Sequence, residues 1–235
     1  MILAENPRSP ATKNIHLQID NSALQAMLEA LLLEWGYQLT DATEPNALLI
    51  ITEKLVPPES FLHRLTLSAS HYQGRNQLEL PLTIENLYLA IENHFHRTPR
   101  NHIRIAAAWP IEVSAIDQTF STTTVTIADR GLRFVSPREF VRAEKMHIYL
   151  SSEDKVFDLP SRSVYSLRGQ EIGRGEQIQV GVVCTPKDRA IREEIRSRII
   201  GLYLKRVRPV LGSNLFAEAL HQLNLTRMTR IMARE

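Results

Sequence analysis

Arginine is the residue whose number and spacing in this sequence point most directly to chemistry. Arg100 and Arg104 stand four residues apart, and residues 97–235 hold 19 arginines among 23 basic residues. The same residues hold 15 acidic side chains, a net charge of +8, whereas residues 1–96 hold 5 basic and 11 acidic side chains, a net charge of −6. A guanidinium offers a planar fork of donors that matches phosphate, and it stacks on flat rings. The charge step predicts two units, the second of which faces an anion, although any one arginine alone is better explained as a solvated surface side chain.

The signatures of common enzyme active sites are missing from the sequence. It contains no G-x-x-x-x-G-K-[ST], no G-x-S-x-G and no H-E-x-x-H, and Gly173-Arg174-Gly175 lacks the third glycine of a dinucleotide loop. His94 and His96 at a helix end would point to different faces. The single Cys184 is better explained as a buried small side chain than as a nucleophile. We therefore expect no catalytic residues, no metal site and no cofactor, and we predict that the protein is not an enzyme.

The first part of the chain has the alternation of strands and helices that is typical of a small α/β domain. Apolar residues recur with helical spacing from Leu24 to Trp35, with Asp20 or Asn21 as the cap and Gly36 as the stop. Thr83 is expected to cap a second helix. Residues 48–51 form a continuous apolar run of the buried, parallel-strand type. The predicted strands are 15–19, 37–39, 48–51, 64–68 and 78–80.

The second part begins with a polar, basic segment interrupted by proline, residues 97–103, which we predict to be a linker. Apolar residues then alternate with polar ones in short segments separated by turn signals, which indicates a sandwich or a small barrel. After Pro186 the apolar period becomes helical, and a last amphipathic helix is predicted over 214–234. We expect this tail helix to pack on the barrel, with self-association as a homodimer as the alternative. The alternating segments contain 111–113, 125–127, 132–134, 146–150 and 178–182.

The layout from the linker to the helix after Pro186 resembles the PilZ domain family, whose members bind cyclic di-GMP. The resemblance covers about residues 97–206, and it is carried by Arg100 and Arg104, by the segment 126–134 and by 180–183 before the helical pattern. It implies a six-stranded antiparallel β-barrel with the ligand held by the two arginines. Guanidinium groups suit that ligand because they bind phosphate, read guanine O6 and N7, and stack on the base.

The second motif of that family, D/N-x-S-x-x-G, corresponds here to Thr126-x-Ala128-x-x-Gly131. The glycine is retained, as a tight β turn requires. The resemblance implies that the two polar positions would hydrogen-bond a guanine edge, which Ala128 cannot do and Thr126 can do only in part. Losing one or two such bonds weakens binding by roughly tenfold to a hundredfold. The implied cyclic di-GMP site is therefore Arg100, Arg104, Thr126 and Gly131.

The first domain resembles a receiver domain of response regulators that has been trimmed and has lost its catalytic residues. Residues 19–21 resemble the acidic end of the first receiver strand with one acid missing, and Glu53 stands where the phosphorylated aspartate is expected in the run 53–57. Leu80-Pro81 takes the place of a Lys-Pro pair. The resemblance implies that magnesium-dependent phosphotransfer does not occur. An unrelated small α/β domain is the alternative.

The expected fold class is α/β plus all-β, in three parts. These are a degenerate receiver-like domain over 1–96, a PilZ-like six-stranded antiparallel barrel with its arginine linker over 97–210, and a C-terminal amphipathic helix over 211–235. The expected function is a cyclic di-GMP receptor or adaptor that signals to a protein partner in motility, pili or exopolysaccharide control. We expect a cytoplasmic protein, because no apolar run approaches the roughly 18 residues of a membrane span and the N-terminus does not read as a signal peptide.

The sequence leaves two other functions open. The first is a PilZ-fold interaction module that has lost its ligand, which the Thr126 and Ala128 departures motivate. The second is a nucleic-acid binder, which the basic second half motivates together with four arginines on one helix, Arg189, Arg192, Arg196 and Arg198. Interleaved glutamates and few aromatic residues argue against nucleic acid as the partner.

Overall fold

A computed structural model describes residues 13–40, 49–53, 64–69, 77–153, 155–169, 177–186 and 188–234. The chain divides into two compact units. Unit 1 contains residues 1–101 and 200–235, and unit 2 contains residues 102–199.

Unit 1 is built on a five-stranded sheet in which every strand pairs in parallel. Its order, β2-β1-β3-β4-β5, is one of the two common orders of doubly wound α/β sheets. The continuous apolar run predicted as a buried parallel strand is confirmed as β3, where Leu49 and Ile51 are at most 2% exposed. The strands are β1 Asn14–Gln18, β2 Gln38–Leu39, β3 Leu49–Thr52, β4 Arg64–Ser68 and β5 Gln77–Glu79.

Both predicted helices of this α/β part are present, as α1 Ser22–Glu34 and α2 Ile84–Phe95. Asn21 caps α1, since its side-chain oxygen accepts from the Leu24 N–H at 2.9 Å. Gly36 follows the helix with a φ of +80°, a conformation that glycine adopts at no steric cost. Thr83 stands at the N-cap position of α2, but its side chain makes no capping hydrogen bond, so that predicted role is wrong.

Unit 2 contains a closed antiparallel barrel. Six strands, β7 to β12, form the ring, which closes because β8 pairs with both β7 and β9, and the short β6 adds to the end of β8. The predicted six-stranded antiparallel barrel is confirmed. The strands are β6 Arg104–Ile105, β7 Pro110–Ala115, β8 Thr119–Ala128, β9 Gly131–Ser136, β10 Lys145–Ser152, β11 Lys155–Leu167 and β12 Ile178–Cys184.

The longest barrel strand, β11, is absent from the alternating segments found in the sequence. Its inward positions begin with Phe157 and Leu159, each 2% exposed, and continue with the buried serines Ser161 and Ser163. The Ser161 hydroxyl donates to the Leu159 carbonyl at 2.8 Å, which satisfies its hydrogen-bonding need inside the barrel. Polar residues at inward positions hide the alternation on which a strand prediction depends.

The C-terminal part contains three helices, α3 Arg189–Leu211, α4 Ser213–His221 and α5 Arg227–Arg234. Gly212 separates the first two with a φ of +74°, a conformation that glycine adopts at no steric cost. The single tail helix predicted over 214–234 is wrong, because the chain leaves the helix after His221. There the fully buried Leu223 forms a bridge with Leu82, whose N–H and carbonyl bond Gln222 and Asn224, each at 2.8 Å.

The tail packs within unit 1, whereas the sequence favoured packing on the barrel. Helix α4 lies against α1. The Tyr203 ring meets Trp35 edge-on at 6.0 Å, and Arg206 pairs with Glu34 at 2.5 Å. Residues 200–235 therefore belong with residues 1–101, and the predicted boundaries 97–210 and 211–235 do not coincide with the compact units.

Candidate ligand site

Three of the four predicted site residues lie together on the outer face of the barrel. Arg104 of β6 pairs with Ala128 of β8, and Gly131 of β9 pairs with the same Ala128 from the other side. The neighbouring pair, Ile105 with Ile127, is 1% exposed on both sides and faces the core, so the row before it faces outward. Neighbouring strands lie about 4.8 Å apart, which places Arg104 and Gly131 roughly 10 Å apart.

Gly131 is required by the packing of the barrel itself. A Cβ at this position would lie 2.4 Å from the carbonyl oxygen of Val182 on β12, an overlap that only movement of the backbone would relieve. The glycine thus permits the close approach of β9 and β12 where the β8–β9 turn ends. Its presence is explained by the fold before any ligand is considered.

Thr126 is the one polar side chain of the second motif on this face. It lies two residues before Ala128 on β8, and its hydroxyl oxygen is buried with no hydrogen-bond partner among the described residues. A buried hydroxyl without a partner carries a desolvation cost that a bound ligand can relieve. Ala128, which is 8% exposed, contributes no polar group.

Arg100, the fourth predicted site residue, makes its contacts inside unit 1. Its Nη1 donates to the Tyr88 hydroxyl at 3.2 Å and lies 3.5 Å from Oε1 of Glu92, which is 3% exposed. Its backbone N–H donates to Oε2 of the same carboxylate at 3.4 Å. Burial lowers the pKa of Arg100, but the hydrogen bond to Tyr88 and the charges of Tyr88 and Glu92 outweigh it and leave that pKa raised. The side chain is thus a charged group that is already engaged.

Asp129, a buried carboxylate with basic neighbours, follows Ala128 directly in the chain. Asp129 is 1% exposed, lies between Ala128 and Arg130 in the β8–β9 turn, and accepts from Arg196 Nη2 of α3 at 2.6 Å. The Nδ1 atom of His102 lies 3.1 Å from its other oxygen. Burial lowers the pKa of His102, and the negative charge of Asp129 raises it in part. The positive charges of Arg130, Arg196 and Arg192 lower this pKa further. We call this group, His102, Asp129, Arg130, Arg192 and Arg196, the Asp129 cluster.

The sequence singled out the members of this cluster only in part. Asp129 follows Ala128 directly, and its burial is consistent with a side chain on the opposite face from the motif residues. The sequence favours Arg192 and Arg196 only as part of a nucleic-acid surface and gives no signal for His102. Two signals were present: the four-residue spacing of the arginines, which puts them on one helix face, and an aspartate inside the motif turn.

Two observations bear on the predicted burial of Cys184 and on the metal chemistry of the chain. The Cys184 thiol is buried beside Ser161, and burial raises its pKa to about 11, so the thiolate is suppressed and the predicted burial is confirmed. Among the described residues, no three His, Cys, Asp or Glu side chains come together in a way that would hold a metal ion.

No described helix combines the length and the apolar character that crossing a membrane would require.

The receiver resemblance is only partly within the described residues. Glu53 follows β3, and its Oε2 accepts from the Asp20 N–H at 2.7 Å and from the Asn21 N–H at 3.4 Å. Residues 54–57 of the predicted phosphorylation run lie outside the described part of the chain. Glu53 therefore acts as a backbone acceptor at the start of α1.

Comparisons with known proteins are weak for this chain. No family model matches it, and no curated protein matches its sequence. It is similar to the Bacillus subtilis inhibitor of motility (MotI/DgrA), with 12% identity, 47% of this chain and 54% of that chain covered, and a TM-score of 0.41. This chain therefore spans about half of that protein.

Two further solved structures are similar at the same level. The PilZ domain of YcgR from Escherichia coli with c-di-GMP has 13% identity, 45% and 92% coverage of this chain and that chain, and a TM-score of 0.37. The K. pneumonia MrkH–c-di-GMP complex has 9% identity, 46% and 54% coverage, and a TM-score of 0.41. Likenesses of this size carry no argument about the function of this chain, which has to be inferred from its own residues.

Proposed function

We propose that this protein is a PilZ-type, non-enzymatic receptor for cyclic di-GMP, with the nucleotide bound on the outer face of the barrel. The observation that carries the proposal is the outer face of the barrel on which Arg104, Thr126 and Gly131 lie. Arg104 and Gly131 flank Ala128 there, and two residues earlier on β8 the buried Thr126 hydroxyl has no partner among the described residues. The basic Asp129 cluster follows Ala128 directly. The ligand carries phosphates and guanines, and these are the groups for which such a face is suited.

Each proposed site residue has a role that follows from its chemistry. Arg104 supplies a fork of donors for a phosphate or a guanine edge. The Thr126 hydroxyl gains a partner from the ligand, and Gly131 presents backbone without a side chain in the way. Arg100 remains part of the proposal as an arginine of the linker, but its guanidinium must exchange Tyr88 and Glu92 for the ligand. That exchange reduces the net gain from Arg100.

Unit 1 is proposed to contact a protein partner as a receiver-like domain without phosphotransfer. Its parallel sheet has the strand order of the flavodoxin-like folds, which supports this assignment. The Glu53 carboxylate is bonded to backbone amides, a structural use of the position where phosphotransfer would need a reactive aspartate. The proposed output is adaptor signalling in motility, pili or exopolysaccharide control, from the cytoplasm.

Titration calorimetry with cyclic di-GMP tests the proposal. Wild-type protein at tens of micromolar, roughly, is expected to bind with a Kd in the micromolar range or below, and Arg104→Gln is expected to weaken binding by about tenfold or more. Arg162→Gln on the exposed side of β11 removes the same charge elsewhere on the barrel and serves as the control. No heat with the wild type, or equal affinity in Arg104→Gln and Arg162→Gln, would overturn the proposal.

A second candidate is an interaction module of the same fold that has no nucleotide ligand. Two observations favour it: Ala128 contributes no polar group to the row, and the guanidinium of Arg100 is already engaged by Tyr88 and Glu92. Its test is the affinity for a purified protein partner with and without cyclic di-GMP. Equal affinity in both conditions supports this second candidate, and a dependence on the nucleotide supports the first.

The nucleic-acid function expected as a further alternative loses support from the helix on which it rested. Arg189 pairs with Glu193 at 2.7 Å and Arg196 with Asp129 at 2.6 Å. Arg198 is 4% exposed and pairs with Glu153 at 3.1 Å. Three of the four arginines that motivated this alternative are thus paired within the fold, so they offer little free charge to a polyanion.

A further inference from the structure

The positive charges of the Asp129 cluster outnumber the single negative charge of its carboxylate. Asp129 forms a direct ion pair with Arg196, and the charges of Arg130 and Arg192 also reach this site, since they act on His102. One guanidinium thus contacts the buried carboxylate, and the charges of two more reach the imidazole beside it. Surplus charge of one sign next to a concave or ligand-bearing surface attracts the opposite charge.

The fold brings Arg130 and Arg192 to the same place by two independent constraints. Arg192 precedes Arg196 by one helical turn, so both side chains lie on one face of α3. Arg196 bonds Asp129, the residue before Arg130, so this face of α3 is held at the β8–β9 turn. The helix spacing and the ion pair together place Arg192 beside the turn that carries Arg130.

The carboxylates at the start of α3 are engaged elsewhere. Asp188 accepts from the Ala190 N–H at 2.8 Å, and Glu193 pairs with Arg189 at 2.7 Å. Glu194 pairs with Lys155 at 2.5 Å and with Arg198 at 3.3 Å. None of these acids, as the structure describes them, neutralises Arg192 or Arg130.

Arg130 and Arg192 themselves have no hydrogen-bonded or ion-paired side-chain partner among the described residues. Arg130 is exposed in the turn, where only its backbone carbonyl is used, by Cys184 N–H at 2.9 Å. The Nε–H of Arg192 is buried and makes no hydrogen bond within the described part of the chain. A buried guanidinium donor without an acceptor is costly unless an anion completes it.

We propose that Arg130 and Arg192 form a phosphate subsite of the nucleotide site, next to the outer face of the barrel on which Arg104, Thr126 and Gly131 lie. The subsite rests on the proposed cyclic di-GMP function and extends it to a second phosphate of the same ligand. Arg130 reaches the phosphate from the turn and Arg192 from α3. Arg196 is a positioning residue, because its pair with Asp129 holds the helix face at the turn.

The experiment compares two double variants with the wild type by calorimetric titration with cyclic di-GMP. Arg130→Gln/Arg192→Gln is expected to raise the Kd by about tenfold or more. Arg142→Gln/Arg189→Gln removes the same two charges from exposed positions of the same unit and is expected to leave the Kd within about twofold. The Kd of the wild type should also rise more steeply with added salt than that of Arg130→Gln/Arg192→Gln, which a purely structural effect would not produce.

The outcomes separate this inference from the function on which it rests. No heat from the wild type overturns the proposed function and the subsite together. Binding by the wild type with the same Kd and salt dependence in Arg130→Gln/Arg192→Gln overturns the subsite alone. If that variant also shows a lower melting temperature, Arg130→Gln by itself decides, since it changes one exposed turn residue. An unchanged Kd there overturns the subsite, and a Kd raised several-fold with an unchanged melting temperature supports it.

Discussion

Two buried carboxylates in this chain have similar first neighbours and different surroundings. Glu92 in unit 1 lies 3.5 Å from Arg100 and 3.5 Å from His96, and Asp129 in unit 2 lies 2.6 Å from Arg196 and 3.1 Å from His102. Around Glu92 the arginine is also bonded to Tyr88. Around Asp129 the charges of two further arginines lower the pKa of His102.

The same local arrangement, a buried carboxylate with an arginine and a histidine beside it, serves two purposes in this chain. At Glu92 the carboxylate receives the backbone N–H and the side chain of Arg100, so it ties the segment after α2 to the helix. At Asp129 the carboxylate pairs with one of the three arginines whose charges act on His102. The first is an internal tie, and the second is the framework of the proposed anion site.

The largest effect is expected from Asp129→Ala. Removing the carboxylate leaves the partly buried Arg196 without its counter-ion, and the free energy of unfolding of unit 2 should fall by about 3 kcal/mol. Urea unfolding followed by Trp109 fluorescence in a Trp35→Phe background measures unit 2, because the sequence has two tryptophans, one in each unit. Asp158→Ala is the control, since its pair with His147 is exposed and should contribute less than about 1 kcal/mol. Equal losses in the two variants would show that the Asp129 ion pair contributes no more to stability than an exposed pair does.

A smaller effect is expected from Gly131→Ala, at the turn that presents the same cluster. The new Cβ would lie 2.4 Å from the Val182 carbonyl oxygen, and relieving that overlap by backbone movement should cost about 2 kcal/mol. In Gly181→Ala the new Cβ would meet the Tyr165 ring at 2.3 Å, but that side chain is 37% exposed and can turn away. Chemical unfolding of the two variants should therefore show the greater loss in Gly131→Ala, and the reverse order would contradict this account of the turn.

Glu92→Gln should have a lesser effect than the loss of Asp129. Its contacts to Arg100 and His96 are longer, at 3.5 Å, and the Arg100 side chain is 44% exposed, so solvent screens part of the interaction. A loss of about 1 kcal/mol is expected for unit 1, read from Trp35 fluorescence in a Trp109→Phe background. If Glu92→Gln costs as much as Asp129→Ala, the two carboxylates are not distinguished by their surroundings.

The smallest effect is a pH dependence that belongs to His102. Burial and the nearby arginines lower the pKa of this side chain below its ordinary value of 6.5, so the unfolded chain takes up its proton at a higher pH than the folded one. The unfolding free energy is then lost as the pH falls below about 6.5 toward the folded pKa, and it is fully present above that range. The difference between wild type and His102→Gln should change with pH in this direction in Trp109-monitored unfolding. Parallel profiles for the two proteins would show that His102 does not titrate against the cluster.

The sequence predicted the elements that have a strong period and a clear boundary. The apolar run at β3, the helix between Asn21 and Gly36, and the short alternating strands of the barrel were all found from local pattern. These succeed because burial on one face forces a period on the chain wherever the strand or helix forms.

The failures share one physical cause. Strand β11 was missed because Ser161 and Ser163 face inward, and the Ser163 hydroxyl donates to the carbonyl of Val141, which is far away in the sequence. The tail was predicted as one helix because Leu223 fits a helical period, whereas its backbone neighbours bond Leu82 instead. In each case a partner far away in sequence decided the outcome.

An acidic α/β part followed by an arginine-rich β part can be found from the sequence, and so can a pair of arginines and a glycine turn of the right type and spacing. Which arginines already have a partner depends on the folded chain. Arg100 meets Glu92 and Tyr88 inside unit 1, Arg196 meets Asp129, and Arg130 and Arg192 are left without acceptors among the described residues. Charge pairing depends on distances of a few ångströms between residues far apart in the chain, and no local pattern encodes those distances.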